Sequence, residues 1–496
     1  MKDIGEASPR YRPIDRRQLV LRTVDVEELI EANHTARNIW DFLGALDLSR
    51  FEDDVKSVEG RAGRNAWSPR LLIALWIYGY SRGISSAREI ERQCAYEPAL
   101  QWLTGLQVVN HHTLSDFRTQ HGEALRELFV QVLGILEMKQ LITLERVAVD
   151  GTRVRANVNK KTFSRPAKLR AHLQLAREQV ELMEQQEVEQ NTRRAAARKR
   201  ALREREQRLG EALKEVEKLQ AEKRRERSKP SQASTSDPEA RFMRNGDGGV
   251  APSYNVQVVS DARQKLIADV AVVNDPQDTS QLGPAMDRVQ ASFGRYPTEA
   301  VADGGYTRSG TVVEVAERNI DYYGSWPEKT GTRSGQGIHP DYEASRFRYD
   351  EARDEFQCPA DKRLRYLTTQ HDRPHVRKHV YAARREDCSN CPHRRRCTPR
   401  NAMSLHGRTV TVTEEHPHVT AFRAKMQQED AKAIYRQRAP VAEFPNAWLK
   451  EKLKLRRFRC RGLRKVTAEA TWAALTYNLQ RLFKLLPEWR EQLAVT

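Results

Sequence analysis

The fold prediction rests on the heptapeptide RVAVDGT at residues 146–152. Its β-branched and small apolar residues predict a strand, with Asp150 at the strand end and Gly151 breaking the strand. The octapeptide EAVADGGY at residues 299–306 repeats this order and places Asp303 before a glycine turn. Because ligands collect at the carboxyl ends of strands in α/β sheets, neighbouring strands would bring both carboxylates to one divalent cation. Taken singly, each Asp-Gly pair also fits an ordinary turn.

The residues between these two stretches complete the predicted sheet. Residues 254–259 and 266–273 have strand character and a short polar connection, which predicts a hairpin. Residues 279–293 have helical character. The order strand, hairpin, helix, strand predicts an α/β ribonuclease-H-like catalytic domain, provided that residues 166–228 form an insertion before the hairpin.

The residues before the sheet divide into an arm and a helical region. Residues 1–45 are polar and rich in arginine, which predicts an arm, and residues 46–140 carry several short helical patterns. Ser68-Pro69 is a favourable helix start, because serine caps a helix and proline fits the first helical position, and a later helix is predicted from Thr113. Short, capped, arginine-rich helices are typical of a helix-turn-helix-like DNA-binding domain, although a plain helical packing domain has the same pattern.

Residues 166–228 differ in composition from the rest of the chain. Apolar residues recur there at alternating steps of three and four in two segments, among dense Arg, Glu, Lys and Gln. This pattern predicts an inserted helical hairpin or coiled coil, whose role in dimerisation or as a DNA-facing arm is open. Residues 229–249, rich in Ser, Pro, Asp and Gly, predict a loop. The remaining chain divides into residues 141–165 and 250–330 as the first part of the catalytic core, 331–425 as an insertion with a cysteine cluster, and 426–496 as the closing helices.

The charge balance of the chain predicts a polyanionic partner. The 496 residues, enough for roughly two to four domains, carry 85 Lys+Arg against 67 Asp+Glu, a net charge of +18. Phosphate contacts by such a surplus release counterions from nucleic acid, and a solvated basic face is the alternative. The N-terminus has no apolar secretion signal, and the longest apolar stretch, residues 71–80, is about half a membrane span. We therefore expect no membrane association and a cytoplasmic, nucleoid-associated protein.

The segment YRQRAPVAEFPNAWLK at residues 435–450 contains a third candidate acid, Glu443. Glu443 and Lys450 are two helical turns apart and so share one face of a helix. An acid flanked by cations on one helix suits a metal ligand beside DNA phosphates, and an exposed salt-bridged helix is the alternative. Pro445 predicts that the helix begins there, with Glu443 at or just before its first turn.

Four of the six cysteines lie in one part of the chain. Cys388, Cys391 and Cys397 follow a compact C-x2-C-x5-C spacing, and Cys358 precedes them. Four thiolates would make a closed tetrahedral zinc site, for which Cys358 and His393 are the candidates for the fourth ligand. Free thiols are the alternative. Six cysteines in a chain of this length do not make a disulfide scaffold, so a reduced protein is expected.

Together these segments resemble the signature blocks of insertion-sequence DDE transposases, in the family's order. The blocks are RNAWSPRLLIALWIYGYSRGISSAREIER (64–92), WLTGL (102–106) and HHTLSDFR (111–118), which resemble an InsH-type helical N-terminal domain; VDGT (149–152), DPEAR (237–241), SYNVQVVSD (253–261) and ADGGY (302–306); and the Tyr-Arg-Glu-Lys signature (435–450) with RGLRKVTAEATWAALTYNLQRL (461–482). The likeness extends from about residue 45 to residue 485.

The resemblance implies roles for individual residues. Asp150, Asp303 and Glu443 would be the catalytic acids and would bind Mg²⁺ or Mn²⁺, as two ions. The residues implied to contact DNA lie in the closing segments: Tyr435, Arg438, Lys450 and Arg461. Four residues separate Arg438 from Glu443, one more than in the family's usual pattern.

The implied activity is metal-dependent DNA transposition. The protein would bind double-stranded DNA at the terminal inverted repeats, cleave phosphodiester bonds and join the 3′-OH ends to target DNA. Both steps are phosphoryl transfers, in which two metal ions about 4 Å apart stabilise the attacking and leaving oxygens. A homodimer or higher assembly is expected on DNA. A catalytically inactive, transposase-derived DNA-binding protein and a nuclease of the same fold are the alternatives.

Overall fold

The computed structural model describes residues 23–53, 65–186, 193–221, 231–326, 338–373, 376–398 and 405–490, together with a few single positions before residue 65. Its N-terminal part is helical, as predicted. The helices are α1 (Thr35–Gly44), α2 (Pro69–Ser81), α3 (Ala87–Gln93), α4 (Pro98–Thr104), α5 (His111–Gln120) and α6 (Gly122–Met138). The start of α2 confirms the prediction from Ser68-Pro69, with the proline at the beginning of the helix.

Two local predictions differ from this helical structure. α1 lies inside the stretch predicted as a polar arm, and it buries an apolar face that includes Phe42 against α2. The helix expected from Thr113 begins two residues earlier, because the side chain of Asn110 accepts the backbone N–H of His112 and caps α5. The first difference arises from the packing of α1 on α2, and the second from the cap that Asn110 provides.

The strands of the central region are β1 (Arg146–Arg155), β2 (Phe163–Ser164), β3 (Ala233–Ser234), β4 (Arg241–Arg244), β5 (Val250–Asp261), β6 (Ile267–Val273), β7 (Glu299–Ala302) and β8 (Asp321–Gly324). β2 and β3 pair with each other, and the other six form one sheet. β5 lies antiparallel beside β1, and β4 and β6 pair with the other edge of β5. β7 and β8 continue the sheet in parallel on the far side of β1. The predicted first strand, hairpin and last strand are confirmed.

Asp150 lies within β1, and the prediction that the strand ends there is wrong. β1 continues through Gly151 to Arg155 because β5 pairs with it along this length, with Gly151 opposite Gln257. The parallel pairing of β1 with β7 does stop at Val149. Asp150 therefore lies where the parallel part of the sheet ends, although its own strand does not.

Helices α7 (Pro166–Gln186) and α8 (Arg193–Ala221) form a helical hairpin between β2 and β3. The apolar residues of the two heptad seams pack against each other, among them Leu169, Leu173, Leu209 and Val216. Residues 229–249, predicted as a loop, contain β3 and β4 because their partner strands β2 and β5 supply hydrogen bonds that the local sequence does not reveal.

Beyond the sheet, α9 (Leu282–Phe293) and α10 (Ser309–Glu317) connect its strands, and a second, antiparallel sheet holds the cysteines. Its strands are β9 (Arg348–Asp350), β10 (Glu355–Gln357), β11 (Arg363–Arg373), β12 (Val376–Ala383) and β13 (Thr409–Glu414), in the order β13-β12-β11-β10-β9. The short helices α11 (Arg385–Ser389) and α12 (Arg394–Cys397) follow β12. The closing helices are α13 (Pro417–Gln427), α14 (Glu429–Arg436), α15 (Arg438–Glu451) and α16 (Leu463–Leu485).

Helix α15 begins at Arg438, and the prediction of a start near Pro445 is wrong. Pro440 lies in the first turn, where backbone N–H groups have no partner within the helix and a missing donor costs little. Pro445 lies inside the helix and leaves the carbonyl of Val441 without its helical donor. Burial of one face of α15, which includes Leu449, against β1 and β5 offsets this loss.

Helix α16 joins the helical part to the sheet. It contacts β6 on one side and α2 and α6 on another, so both parts share one apolar core. At its start, Glu239 accepts the backbone N–H of Leu463 at 2.6 Å and Asp237 accepts that of Gly462 at 3.3 Å. Carboxylates at a helix N-terminus stabilise the helix. None of the helices that the structure describes is both long enough and apolar enough to cross a membrane.

Candidate active site

Asp150 and Asp303 stand side by side at the end of the parallel part of the sheet. The pairing of β1 with β7 ends at Val149 and Ala302, which directly precede the two acids. Burial, together with the nearby Asp303 carboxylate, raises the pKa of Asp150 to about 6 against the opposing charge of Arg438. Two carboxylates that share a site repel each other, and a cation between them relieves the repulsion.

Each carboxylate is held by a backbone hydrogen bond in its own strand or turn. The N–H of Gly305 donates to Asp303 Oδ1 at 2.8 Å, and the N–H of Gly151 donates to Asp150 Oδ1 at 3.0 Å. A Cβ at Gly305 would lie 2.8 Å from the same Asp303 oxygen. The glycine of the ADGGY stretch is therefore required for the turn that positions Asp303.

Asn446 connects the Asp150 carboxylate to helix α15. Its Nδ2 donates to Asp150 Oδ2 at 2.9 Å. The side chain is buried, and its Oδ1 has no hydrogen-bond partner within the described residues. The sequence analysis did not select this residue. A signal was available, because Asn446 is three residues after Glu443 and four before Lys450, a spacing that places all three near one another on a helix.

The other candidates on α15 differ in their distance from the acids. Arg438 is near enough to Asp150 to oppose the rise in its pKa. Burial lowers the pKa of Lys450, and the Asp150 carboxylate opposes this shift. Glu443 is exposed. In the part of the chain that the structure describes, no three Asp, Glu, His or Cys side chains form a group arranged to hold a metal ion.

Tyr435 and Arg461 have different surroundings from these residues. Tyr435 packs against the cluster of Val301 in β7, the strand that directly precedes Asp303, and Tyr323 in β8. Arg461 lies past the end of β1, where its Nε donates to the backbone carbonyl of Asn157 at 2.8 Å. Of the four residues implied to contact DNA, the structure thus places Arg438 and Lys450 beside Asp150 and Arg461 at another surface.

A partly buried polar network centred on Asp278 joins β1 to β5, and the sequence analysis did not predict it. Asp278 Oδ1 accepts from Asn255 Nδ2 and from Gln257 Nε2, both at 2.7 Å. Arg153 donates to both carboxylate oxygens, at 3.2 and 2.8 Å. The hydroxyl of Tyr306 donates to Gln257 Oε1 at 2.6 Å. Because its members satisfy one another, the network ties β1, β5 and the ADGGY turn into one rigid unit.

We expect Gly151→Ala to disrupt this unit. A Cβ there would lie 2.4 Å from Asp278 Oδ1 and 2.7 Å from Gln257 Nε2, atoms that hydrogen bonds hold in place. Overpacking of this kind costs about 1–3 kcal/mol, to be measured by urea unfolding. Gly134→Ala on α6 is the control, since no atom lies within 4 Å of its added Cβ and alanine favours a helix. Equal stability of the two variants would contradict the prediction.

The predicted zinc ligands line one small cavity of about 20 Å³: Cys358, Cys388, Cys391, Cys397 and His393. The backbone N–H of Lys362 donates to Cys358 Sγ, and that of Arg408 to Cys388 Sγ, both at 3.2 Å. Burial raises the pKa of the Cys397 thiol to about 11. The structure brings these side chains to one cavity. Their spacing is not that of a formed metal site, and the described residues contain no such site.

Two family models match the chain. Residues 357–483 match a model described as a transposase DDE domain, and residues 24–120 match one described as a transposase domain (DUF772). The first match includes the cysteine cluster and Glu443, and the second includes α1 to α5. A search of curated proteins gives no match.

Proposed function

We propose that the chain is an insertion-sequence DDE transposase, which cleaves DNA at the terminal inverted repeats of its element and joins the freed 3′-OH ends to target DNA. The observation that carries this proposal is the pair of acids, Asp150 and Asp303, that follow directly where the parallel pairing of β1 with β7 ends. Asn446, Arg438 and Lys450 from α15 face the first of them.

We assign the sheet to the ribonuclease-H-like fold. Support comes from the strand order β6-β5-β1-β7-β8. The hairpin of β5 and β6 lies antiparallel beside β1 through β5, and two later strands lie parallel on the other side of β1. The helical N-terminal domain would be of the InsH type and would recognise the repeats. At least two copies of the chain would assemble on paired ends.

Asp150, Asp303 and Glu443 would hold the divalent metal. Carboxylate oxygens suit Mg²⁺ or Mn²⁺, and the unpartnered Oδ1 of buried Asn446 adds a further oxygen beside Asp150. When bound, two such ions activate a water or 3′-OH oxygen and neutralise charge on the leaving oxygen. Glu443 is exposed on the same helix, and its side chain would have to turn toward the two strand acids to join them.

The basic residues of this site would position the DNA backbone. Lys450 offers a point charge to a phosphate, whereas the planar fork of Arg438 can grip one with two hydrogen bonds. Among the described residues, no carboxylate forms an ion pair or a hydrogen bond with the guanidinium of Arg438. Both cations would therefore be available to the scissile phosphate and its neighbour, while Tyr435 would support the helix junction before Arg438.

Cleavage and strand transfer on defined DNA test this proposal. The substrate is a duplex that ends in the inverted repeats flanking the gene, incubated with Mg²⁺ or with a chelator. We expect cuts at the repeat ends in Mg²⁺, none with the chelator, and joining of pre-cut 3′-OH ends to plasmid DNA. Binding without cutting would indicate a DNA-binding protein only, and cutting without joining would indicate a nuclease.

We also propose that the cysteine cavity binds structural Zn²⁺. Metal binding would draw the four sulfurs together and release the protons of Cys388 and Cys397, whose pKa values burial raises. We expect one zinc per chain by elemental analysis, and its loss in Cys388→Ser. Cys94→Ala is the control, because Cys94 is buried in the main apolar core. Protein purified without zinc, or zinc retained in Cys388→Ser, would overturn the assignment.

A further inference from the structure

A basic groove opens past the end of β1, distinct from the cavity of the cysteines and from the strand acids. Its volume is about 630 Å³. We define the basic groove by its four cationic side chains, Arg155, Lys160, Arg457 and Arg461, and by residues 249–252 of the β4–β5 turn and β5, which form its other wall.

The groove is built by pairing the end of β1 with the segment that follows α15. Arg155 donates its backbone N–H to the carbonyl of Arg456 at 3.1 Å, and Phe458 donates its own to the carbonyl of Arg155 at 2.9 Å. The side chain of Asn157 donates to the carbonyl of Arg459 at 2.7 Å. Because these are backbone pairings next to a buried Phe458, the groove has a fixed shape.

The charges of the groove are only partly neutralised within the chain. Arg155 pairs with Asp247. Arg461 uses Nε to bond the Asn157 carbonyl, which fixes the side chain and leaves the other guanidinium N–H groups for a ligand. Arg457 is exposed and has no ion-pair partner within the described residues. A fixed concave surface with this surplus of cations suits a polyanion.

The position of the groove relates it to the strand acids. Arg155 is five residues beyond Asp150 on one strand, a separation of about 17 Å. Phosphates of one B-DNA strand advance by about 3.4 Å per nucleotide along the helix axis. For a duplex whose axis runs along β1, the groove would therefore lie about five nucleotides from a phosphate at Asp150. The charge of Arg456, the residue before Arg457 of the groove, influences Lys450, and so does the charge of Asp150.

We propose that the basic groove binds the phosphate backbone of the DNA strand whose scissile phosphate lies at Asp150 and Asp303. This rests on the proposed function, and it adds a non-catalytic phosphate subsite about five nucleotides from the cut. Arg457 and Arg461 contact the phosphates directly, and Lys160 closes the other side. Such contacts set the register of the end on the enzyme without reading its bases.

Phosphate interference on the full chain tests the groove. The probe is a duplex of about 30 base pairs that carries the repeat end, with one neutral methylphosphonate linkage moved along the cleaved strand. We expect a neutral linkage about five nucleotides from the cut to weaken DNA binding by the wild-type protein. The same linkage should not change DNA binding by the double variant Arg457→Ala/Arg461→Ala. That double variant should bind unmodified DNA at least tenfold more weakly and lower the salt slope by about 2, since each phosphate contact contributes about 0.9.

Arg346→Ala/Arg395→Ala is the matched control, because both arginines are exposed and lie in the cysteine-containing part of the chain, away from the groove lining. The same interference pattern in the groove variant as in wild type, or an equal loss of affinity in the control, overturns the proposal. The binding readout needs no cleavage. Interference at this position in a protein that does not cut DNA would support the groove and contradict the proposed function. Cutting by the wild-type protein, with a salt slope that the groove variant leaves unchanged, would support the proposed function and contradict the groove.

Discussion

Asp303→Asn is expected to abolish DNA cleavage while leaving binding to the repeat ends nearly unchanged. The amide keeps the size of the side chain and its bond from Gly305, but it removes a charge that a divalent ion requires. Metal ions contribute several kcal/mol of transition-state stabilisation, so we expect a loss of rate of about a thousandfold or more. Asp150→Asn and Glu443→Gln should have effects of the same order.

Single-turnover cleavage and gel-shift affinity on the same repeat-end duplex measure the two effects separately. Glu429→Gln on α14 is the control, because this exposed acid pairs with Lys432 and Arg436 and not with the strand acids. Cleavage near the wild-type rate in any one of the three variants would remove that residue from the proposed triad. Glu443 is the most exacting case, since its side chain must turn from solvent to join the other two.

Glu469→Ala is expected to destabilise the fold more than any other single change discussed. Glu469 is fully buried and accepts the backbone N–H of Arg459 at 3.0 and 2.9 Å and that of Cys460 at 3.0 Å. Burial raises its pKa, and the charge of Arg118 opposes this rise. Alanine would leave these N–H groups and the buried Arg118 without their anion. Leaving a buried donor without its acceptor costs about 1–3 kcal/mol, and two backbone N–H groups lose theirs here.

The measurement is the free energy of urea unfolding of the full chain. Glu429→Ala serves as the comparison, because that side chain is exposed and its removal should change stability little. Glu469 thus fastens the segment before α16 to that helix, near Arg118, which lies over the Trp76 ring at 4.4 Å and donates to the carbonyl of Ser85 in the helical part. Unfolding of Glu469→Ala at the same urea concentration as wild type would refute this role.

The sequence predicted the central strands and the first two acids because these depend on local pattern. β-branched residues in β1 and β7 favour strands wherever they stand, and the glycines after Asp303 favour a turn. The helical hairpin of residues 166–221 follows from the same kind of evidence, since the spacing of its apolar residues is a property of the segment itself.

The other features of the fold and the site depend on contacts between segments that are distant in the sequence. The sequence predicted that β1 ends at Gly151 and that α15 begins near Pro445. Pairing with β5 extends β1 beyond Gly151, and packing on the sheet keeps α15 helical before and after Pro445. The bond from Asn446 to Asp150, the network around Asp278 and the basic groove join residues that are far apart in the chain. Local propensity amounts to a few tenths of a kcal/mol per residue, and burial or hydrogen bonding between distant segments outweighs it, so such contacts exist only once the chain has folded.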